Sequence, residues 1–342
     1  MPVADSGAAA APHPAAVPFP KIELHVHLEG SVRPATLLEI ARRNGESLPA
    51  DNEEDLRELF AFRGFEHFIQ VWIVTTFVLQ RARDFRQITV DYAAQAAAHG
   101  CVYIEGIFSP AEPVIRGVSW EEIFEGYSDG IEEARERHGV EMRLTPDITR
   151  VFDPELGEET ARHAVAFRER GVVGIGLGGP EDPPEPFASA FAIARGGGLG
   201  SVPHAGEAAG PASIWGALNA LKADRIRHGI RAVEDPALLE ELAARGTVLD
   251  VTPVSNVRLG IVPSLEEHPL PRLRAAGIAC SISTDDPGLM GTDLTQDYAA
   301  AARLGVSARE AYEAGLAGAL CDEPTRRRLR EIGDAFDWGS VG

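Results

Sequence analysis

The chain has 342 residues, 44% of them hydrophobic and 25% charged, the balance of an ordinary folded protein with material for a sizeable core. Its 52 acidic against 32 basic residues give a formal charge of −20, which repels phosphate backbones and argues against sequence-independent nucleic-acid binding. No apolar run reaches the ~18 residues of a membrane-crossing helix, and Cys101, Cys280 and Cys321 stand too far apart for a CxxC pair or a disulfide ladder, which suits a reducing cytoplasm.

Residues 1–18 are rich in Ala and Pro, carry Asp5 and lack a basic leader, so they read as a disordered tail rather than a signal peptide. Residues 19–342 read as one domain of repeating strand and helix. The predicted strands are Ile22–Val26, Val102–Phe108, Glu141–Asp147, Val172–Leu177, Gly200–Pro203, Arg225–Arg227, Val248–Val251 and Ala279–Ser283. Helical stretches follow them: Pro34–Asn44, Phe85–His99, Trp120–His138, Glu158–Arg170, Phe187–Ala194, Ile214–Leu221, Pro236–Ala244 and Pro271–Ala275. Eight such units imply an α/β protein whose parallel sheet closes into a (β/α)₈ TIM barrel. Residues 45–84 form an insertion after the first strand, with Phe60, Phe62, Phe65, Phe68 and Trp72 at helical spacing. They read as helix core, or alternatively as a hydrophobic lid over the barrel mouth. Beyond Ser307 the chain reads as closing helices with Arg326–Arg330 on a solvated face.

The chemistry concentrates at strand ends. His25 and His27 are two apart on the first strand and therefore point the same way. The fifth strand ends at His204, with Glu207 three residues on. The sixth ends at His228, and the eighth at Asp285, followed by Asp286 and Pro287. A barrel brings all these ends to one mouth. The other six histidines fall in helices, loops or the tail. His25, His27, His204 and Asp285 are the expected ligands of a single Zn²⁺, which lowers the pKa of bound water towards ~7. His228 then orients or deprotonates that water, and Glu207 delivers a proton to a substrate ring nitrogen. Asp286 binds a heterocycle edge. The plainer roles are a helix N-terminal carboxylate for Glu207 and a cap before Pro287 for Asp286. The run Gly174-Ile175-Gly176-Leu177-Gly178-Gly179 imitates a dinucleotide fingerprint, but Pro180, Pro183, Pro184 and Pro186 follow it where a helix is required. It reads instead as close approach of backbone to a flat ligand, or as an ordinary turn.

Five segments in order carry a resemblance. They are Pro20-Lys21-Ile22-Glu23-Leu24-His25-Val26-His27-Leu28-Glu29-Gly30-Ser31, His204-Ala205-Gly206-Glu207, Arg225-Ile226-Arg227-His228-Gly229, Ser255-Asn256 and Ser283-Thr284-Asp285-Asp286-Pro287. Together they resemble the adenosine deaminase family of the amidohydrolase superfamily. That resemblance implies a barrel with one zinc, and hydrolysis of a 6-aminopurine to its 6-oxo form with release of ammonia. By the same resemblance Glu207 protonates purine N1 as hydroxide adds to C6, Asp286 meets N7, Gly179 meets N3, and Glu29 lies by the ribose 5′ carbon. The chain departs from the family's adenosine enzymes at Glu29 (usually Asp), Ile107 (usually Arg), Arg227 (usually Gly) and Arg258 (usually Gln in bacteria). The purine and metal parts match, and the sugar side is altered.

Three substrates are therefore in play: adenosine, free adenine, and a 5′-extended adenosine such as 6-aminodeoxyfutalosine, a menaquinone precursor. Arg258 stands after the seventh strand, near the first across the barrel. There it reads as a solvated rim charge, or as a fork for the benzoate of the extended nucleoside, which tips the expectation towards that substrate. An amide- or ester-cleaving barrel of the usual two-metal kind carries a bridging Lys on the fourth strand, and Val172–Leu177 has none; a non-catalytic binding barrel would not retain every ligand, acid and base. The expected partner is a small purine nucleoside, with no membrane or nucleic acid, and the sequence leaves a homo-oligomer open.

Overall fold

The protein, described here by a computed structural model, is defined over residues 19–341; the N-terminal tail expected at 1–18 lies outside the described residues. Among the described residues are nine parallel strands, with helices between all but the fifth and sixth: β1 (Lys21–His27), β2 (Cys101–Phe108), β3 (Glu141–Thr149), β4 (Gly174–Gly178), β5 (Gly200–Ser201), β6 (His204–Ala205), β7 (Arg225–His228), β8 (Val248–Val251) and β9 (Cys280–Ile282). β1 to β5 pair in sequence order, and so do β6 to β9. A bridge between Val26 and Asp285, with His27 N–H donating to Asp285 O and Asp285 N–H to His25 O, ties the last unit back to the first. The architecture is thus the expected eight-unit α/β barrel, with the fifth strand in two pieces.

That split has a local cause. Pro203 has no N–H for the ladder, so Gly200–Pro203 cannot be one continuous strand. Pairing resumes at His204, opposite Arg227. Other boundaries differ from the expected ones for similar reasons. Helices begin at Pro154 and Pro211, earlier than the patterns at Glu158 and Ile214 suggest, because Pro is preorganised for the first helical position. The helix expected at Phe85–His99 starts at Ala82, where Asp84 accepts from the Arg81 N–H at 3.0 Å.

The main core packs the outer faces of the strands, such as Val26, Ile104, Leu144, Ile175, Ile226, Leu249 and Ile282, against the surrounding helices. The insertion consists of two helices, α1 being the preceding Pro34–Asn44: α2 (Glu53–Leu59), capped by Asn52, and α3 (Phe65–Thr76). Phe68 is buried against Leu259, Leu289 and Met290, with Phe60, Phe62, Ile69 and Trp72 around it. The insertion is therefore both a small core of its own and a wall at the mouth. The chain ends in helices Ala308–Gly318 and Glu323–Ala335, the first opened by a Ser307/Glu310 capping box. Arg326 departs from the expected solvated face: it is half-buried and donates to Leu316 O at 2.7 Å. No helix among the described residues is long and apolar enough to cross a membrane.

Candidate active site and metal centre

The mouth of the barrel gathers the four strand-end imidazoles and Asp285. His25 Nε2 and His27 Nε2 each lie 3.2 Å from His204 Nε2, and they lie 3.2 and 3.5 Å from Asp285 Oδ1. Such separations are the edges of a tetrahedron with arms of roughly 2.0–2.1 Å, the reach of nitrogen and oxygen zinc ligands. The far side of the rings explains which atoms face inward. His25 Nδ1 lies 3.4 Å from Asp250 O, and His204 Nδ1 lies 3.2 Å from Leu177 O and 3.3 Å from Asp147 Oδ2. A carbonyl accepts but cannot donate, so each Nδ1 carries the proton and each Nε2 is a bare lone pair. The His25 and His204 lone pairs, facing one another at 3.2 Å, repel unless a cation lies between them. Burial pushes His27 down to about 3 and His204 and His228 well below the usual imidazole range, which keeps them in the neutral form that binds metal.

His228 reaches the same point from β7, its ligand atom within 4.8 Å of those of His25, His204 and Asp285. Its Nδ1 faces Thr252 Oγ1 at 3.2 Å and Asn256 Nδ2 at 3.4 Å, and its Nε2 stands 3.5 Å from Glu207 Oε2. Ser255 Oγ donates to Asp285 Oδ2 at 2.7 Å. His228 and Asp285 hold φ of 62° and 69°, two of the three positive values at non-glycine positions among the described residues. Such backbone strain persists only where the surroundings enforce it.

Glu207 is buried, and its Oε1 accepts from Asn256 Nδ2 at 3.4 Å. Burial, with the negative charges of Asp285 and Glu181 nearby, raises its carboxyl well above the usual range. It does not cap the next helix, which starts at Pro211. The carboxylate at this turn belongs to Glu181, which no sequence pattern singles out. It accepts from the N–H groups of Gly206, Glu207 and Ala208 at 2.6–2.7 Å and from Ser213 Oγ at 2.7 Å. Asp286 makes no side-chain cap to the helix it precedes; its Oδ1 is buried without a protein partner, beside the glycine at position 30, where a Cβ would overlap its carboxylate.

A cleft of about 380 Å³ opens over this cluster. Its floor includes His27, His204, Glu207, His228, Asp285 and Asp286, and its upper wall is apolar: Phe68, Ile69, Trp72, Ile73, Val151 and Leu259. Gly179, at φ 85°, lines one side. Glu29 lies behind that wall, its Oε1 accepting from the Ser109 N–H at 2.8 Å, near Glu112 and Trp72. Arg258 is exposed, its guanidinium beside Gly291, outside the residues that line the cleft. The glycine run has a different meaning from the one its spacing suggests. A Cβ at Gly176 would overlap Asp147 and Arg227, one at Gly178 would overlap Asp147, and one at Gly174 would meet Leu320. These three make room for side chains of the protein.

The chain matches the adenosine deaminase family model over residues 20–335. It is 53% identical, over 93% of its length and 92% of the relative's, to aminodeoxyfutalosine deaminase of Acidothermus cellulolyticus. Its structure is similar to that of an adenine deaminase from Arthrobacter aurescens, with a TM-score of 0.87 and 30% identity over 93% of this chain and 98% of the other. It is also similar to an amidohydrolase from Burkhoderia ambifaria with bound Zn, with a TM-score of 0.85 and 28% identity over 92% and 90% of the two chains. With its buried His/Asp cluster able to bind a metal, this chain is a deaminase and belongs to the adenosine deaminase family.

Proposed function

We propose that this protein removes the 6-amino group of a purine nucleoside carrying an extension on its 5′ carbon, with 6-aminodeoxyfutalosine as the substrate. We further propose that it uses one Zn²⁺ held by His25, His27, His204 and Asp285. The observation that carries the substrate reading is the apolar wall of Phe68, Ile69, Trp72 and Ile73, which continues the cleft beyond the metal cluster. A bare purine leaves that wall uncovered, whereas an aromatic 5′ extension buries against it. The volume falls within the ~300–1,000 Å³ of sites for ligands of that size, and the 53% identical relative bears the same activity in its name.

When bound, the zinc supplies Lewis acidity that lowers the pKa of water at the site. The side chains do the rest. His228, braced by Thr252 and Asn256, takes a proton from the attacking water. Glu207, its carboxyl raised well above the usual range by burial, gives its proton to N1 as the C6 centre becomes tetrahedral. Asp286, also raised by burial and by Asp285, Glu29 and Glu207, is positioned to donate to N7. Gly179 approaches N3, and Glu29 serves the 5′ side from behind Trp72. Free Cys101, Cys280 and Cys321 fit a cytoplasmic enzyme.

A second reading, adenine deaminase, has the solved neighbour from Arthrobacter aurescens in its favour. Purified protein, with its metal determined by elemental analysis, is incubated with adenine, adenosine and the benzoate-bearing nucleoside while loss of 6-aminopurine absorbance is followed. The extended nucleoside is expected to give the highest kcat/KM. Preference for adenine or plain adenosine overturns the substrate reading and leaves deamination standing; active, unchelated protein free of transition metal overturns the metal reading.

A further inference from the structure

Arg227 is fully buried on β7, with no solvent to stabilise its charge. Its guanidinium crosses the barrel interior to β3, where Nη1 donates to Asp147 Oδ1 and Nη2 donates to Thr145 Oγ1 at 2.7 Å. The path runs over β4, whose glycines at 176 and 178 leave the space: a Cβ at the first would overlap both the Arg227 and Asp147 side chains. Asp147 is equally buried, and its second oxygen, Oδ2, stands 3.3 Å from His204 Nδ1. Three residues from three strands thus form one chain that ends on a ring whose Nε2 faces the His25, His27 and Asp285 ligand atoms. A buried Arg–Asp pair is costly to assemble and adds little net stability by itself. Two glycines on a central strand weaken it further. Neither cost is explained by packing alone.

We propose that Arg227, acting through Asp147, is a positioning residue that sets how tightly the metal is held at His204. By holding Oδ1, Arg227 turns Oδ2 towards His204 Nδ1. Oδ2 makes no aligned hydrogen bond there, since His204 Nδ1 pairs with Leu177 O; its charge at 3.3 Å favours the proton on Nδ1, and so the bare Nε2, and holds that side of the ring. Carboxylates behind metal-bound imidazoles act in this way in general, and their loss costs roughly 10–100-fold in metal affinity. Leu177 O still accepts from Nδ1 when Asp147 is lost, so the ring is loosened rather than freed. The inference rests on the reading of His204 as a metal ligand.

The test uses the full-length enzyme and measures its zinc Kd by chelator competition, its zinc release rate, the visible spectrum of the Co²⁺-substituted form, and Tm. Arg227→Met and Asp147→Asn are each expected to raise the zinc Kd by about 10–100-fold, speed release and shift the Co²⁺ bands. Arg227→Lys, which keeps the charge, should recover part of the loss. The double variant should bind zinc no more weakly than Asp147→Asn alone, because the contact path from Arg227 to His204 runs through Asp147. A lowered Tm with unchanged zinc Kd, or losses that add in the double variant, overturns the inference. If neither single variant accumulates in folded form, the double variant decides, since it leaves no orphaned charge: a Kd within a few-fold of wild type overturns the proposal. Wild-type protein that binds no zinc overturns the metal reading and this inference together; equal affinity in wild type and variants overturns the inference alone.

Discussion

The metal end of the barrel and the wall above it are held by different forces. At the metal end, His25 is oriented by Asp250 O, His204 by Leu177 O and Asp147, His228 by Thr252 and Asn256, and Asp285 by Ser255. Hydrogen bonds are directional, and several on one side chain leave it a single rotamer. The wall is held by apolar contact: Phe68 packs on Leu259, Leu289 and Met290, while Ile73, Val74 and Phe77 on the same segment stay 52%, 43% and 40% exposed. Apolar packing is not directional and tolerates substitution of similar volume. The reacting atoms are therefore placed by geometry that admits little change. Substrate choice is left to a surface that can be reshaped without disturbing them. Beside the wall, Glu112 Oε2 is buried with no hydrogen-bond partner among the described residues.

The largest effect is expected at Glu207. Glu207→Gln keeps the Asn256 contact but cannot cycle a proton, so kcat should fall about 10²–10⁴-fold with zinc retained. Activity within a few-fold of wild type would remove Glu207 from the chemistry and leave the metal end a scaffold only.

At Glu112, which lines the cleft, the expected effect is on stability. Burial pushes Glu112 up to about 7 from its ordinary 4.5. The folded protein therefore holds a proton that the unfolded chain has released between those values, and stability falls as pH rises through that window. Glu112→Gln removes this contribution, so its Tm should match wild type near pH 4.5 and exceed it near pH 8. The upper bound is about 3 kcal/mol, at ~1.4 kcal/mol for each tenfold change in proton affinity. A Tm difference that does not vary with pH would mean that this carboxyl is as well solvated or paired as those on the surface.

Trp72→Ala sharpens the contrast. It should lower kcat/KM for the extended nucleoside by roughly 1.5–3 kcal/mol, the worth of covering one large apolar side chain, and leave adenine nearly unaffected. Equal losses on both substrates would show that Trp72 supports the metal end rather than the 5′ side.

The smallest effect is expected at Arg258. As an exposed guanidinium outside the cleft lining, it should contribute about 0.2–1 kcal/mol to binding of a benzoate, the range of surface ion pairs, rather than the larger worth of a buried fork. Arg258→Ala assayed on the benzoate-bearing nucleoside and on adenosine checks this. A loss confined to the former and larger than about ten-fold would mean that Arg258 turns into the cleft when substrate binds.

Much of this end of the molecule was legible in the chain. The period of two in β1 placed His25 and His27 on one face, and the barrel's habit of ending its strands at one mouth brought His204, His228 and Asp285 to them. The plainer roles for Glu207 and Asp286 were open in the sequence because capping depends on where a helix begins, and neither caps in the structure. Glu181 was hidden in a proline-rich loop whose pattern gives no sign of the three N–H groups it accepts from 25 to 27 residues away.

The alternation of strand and helix, the residues at the strand ends and the family that their order resembles follow from local periodicity and short spacings, and so were readable along the chain. Only the tertiary structure decided why Gly176 and Gly178 are glycines, what Arg227 is for, and that Arg258 stands outside the cleft. Arg227 meets Asp147 across 80 residues, and the space they share is emptied by a third strand. Barrel closure creates that arrangement of contact and missing side chain, and no local pattern encodes it.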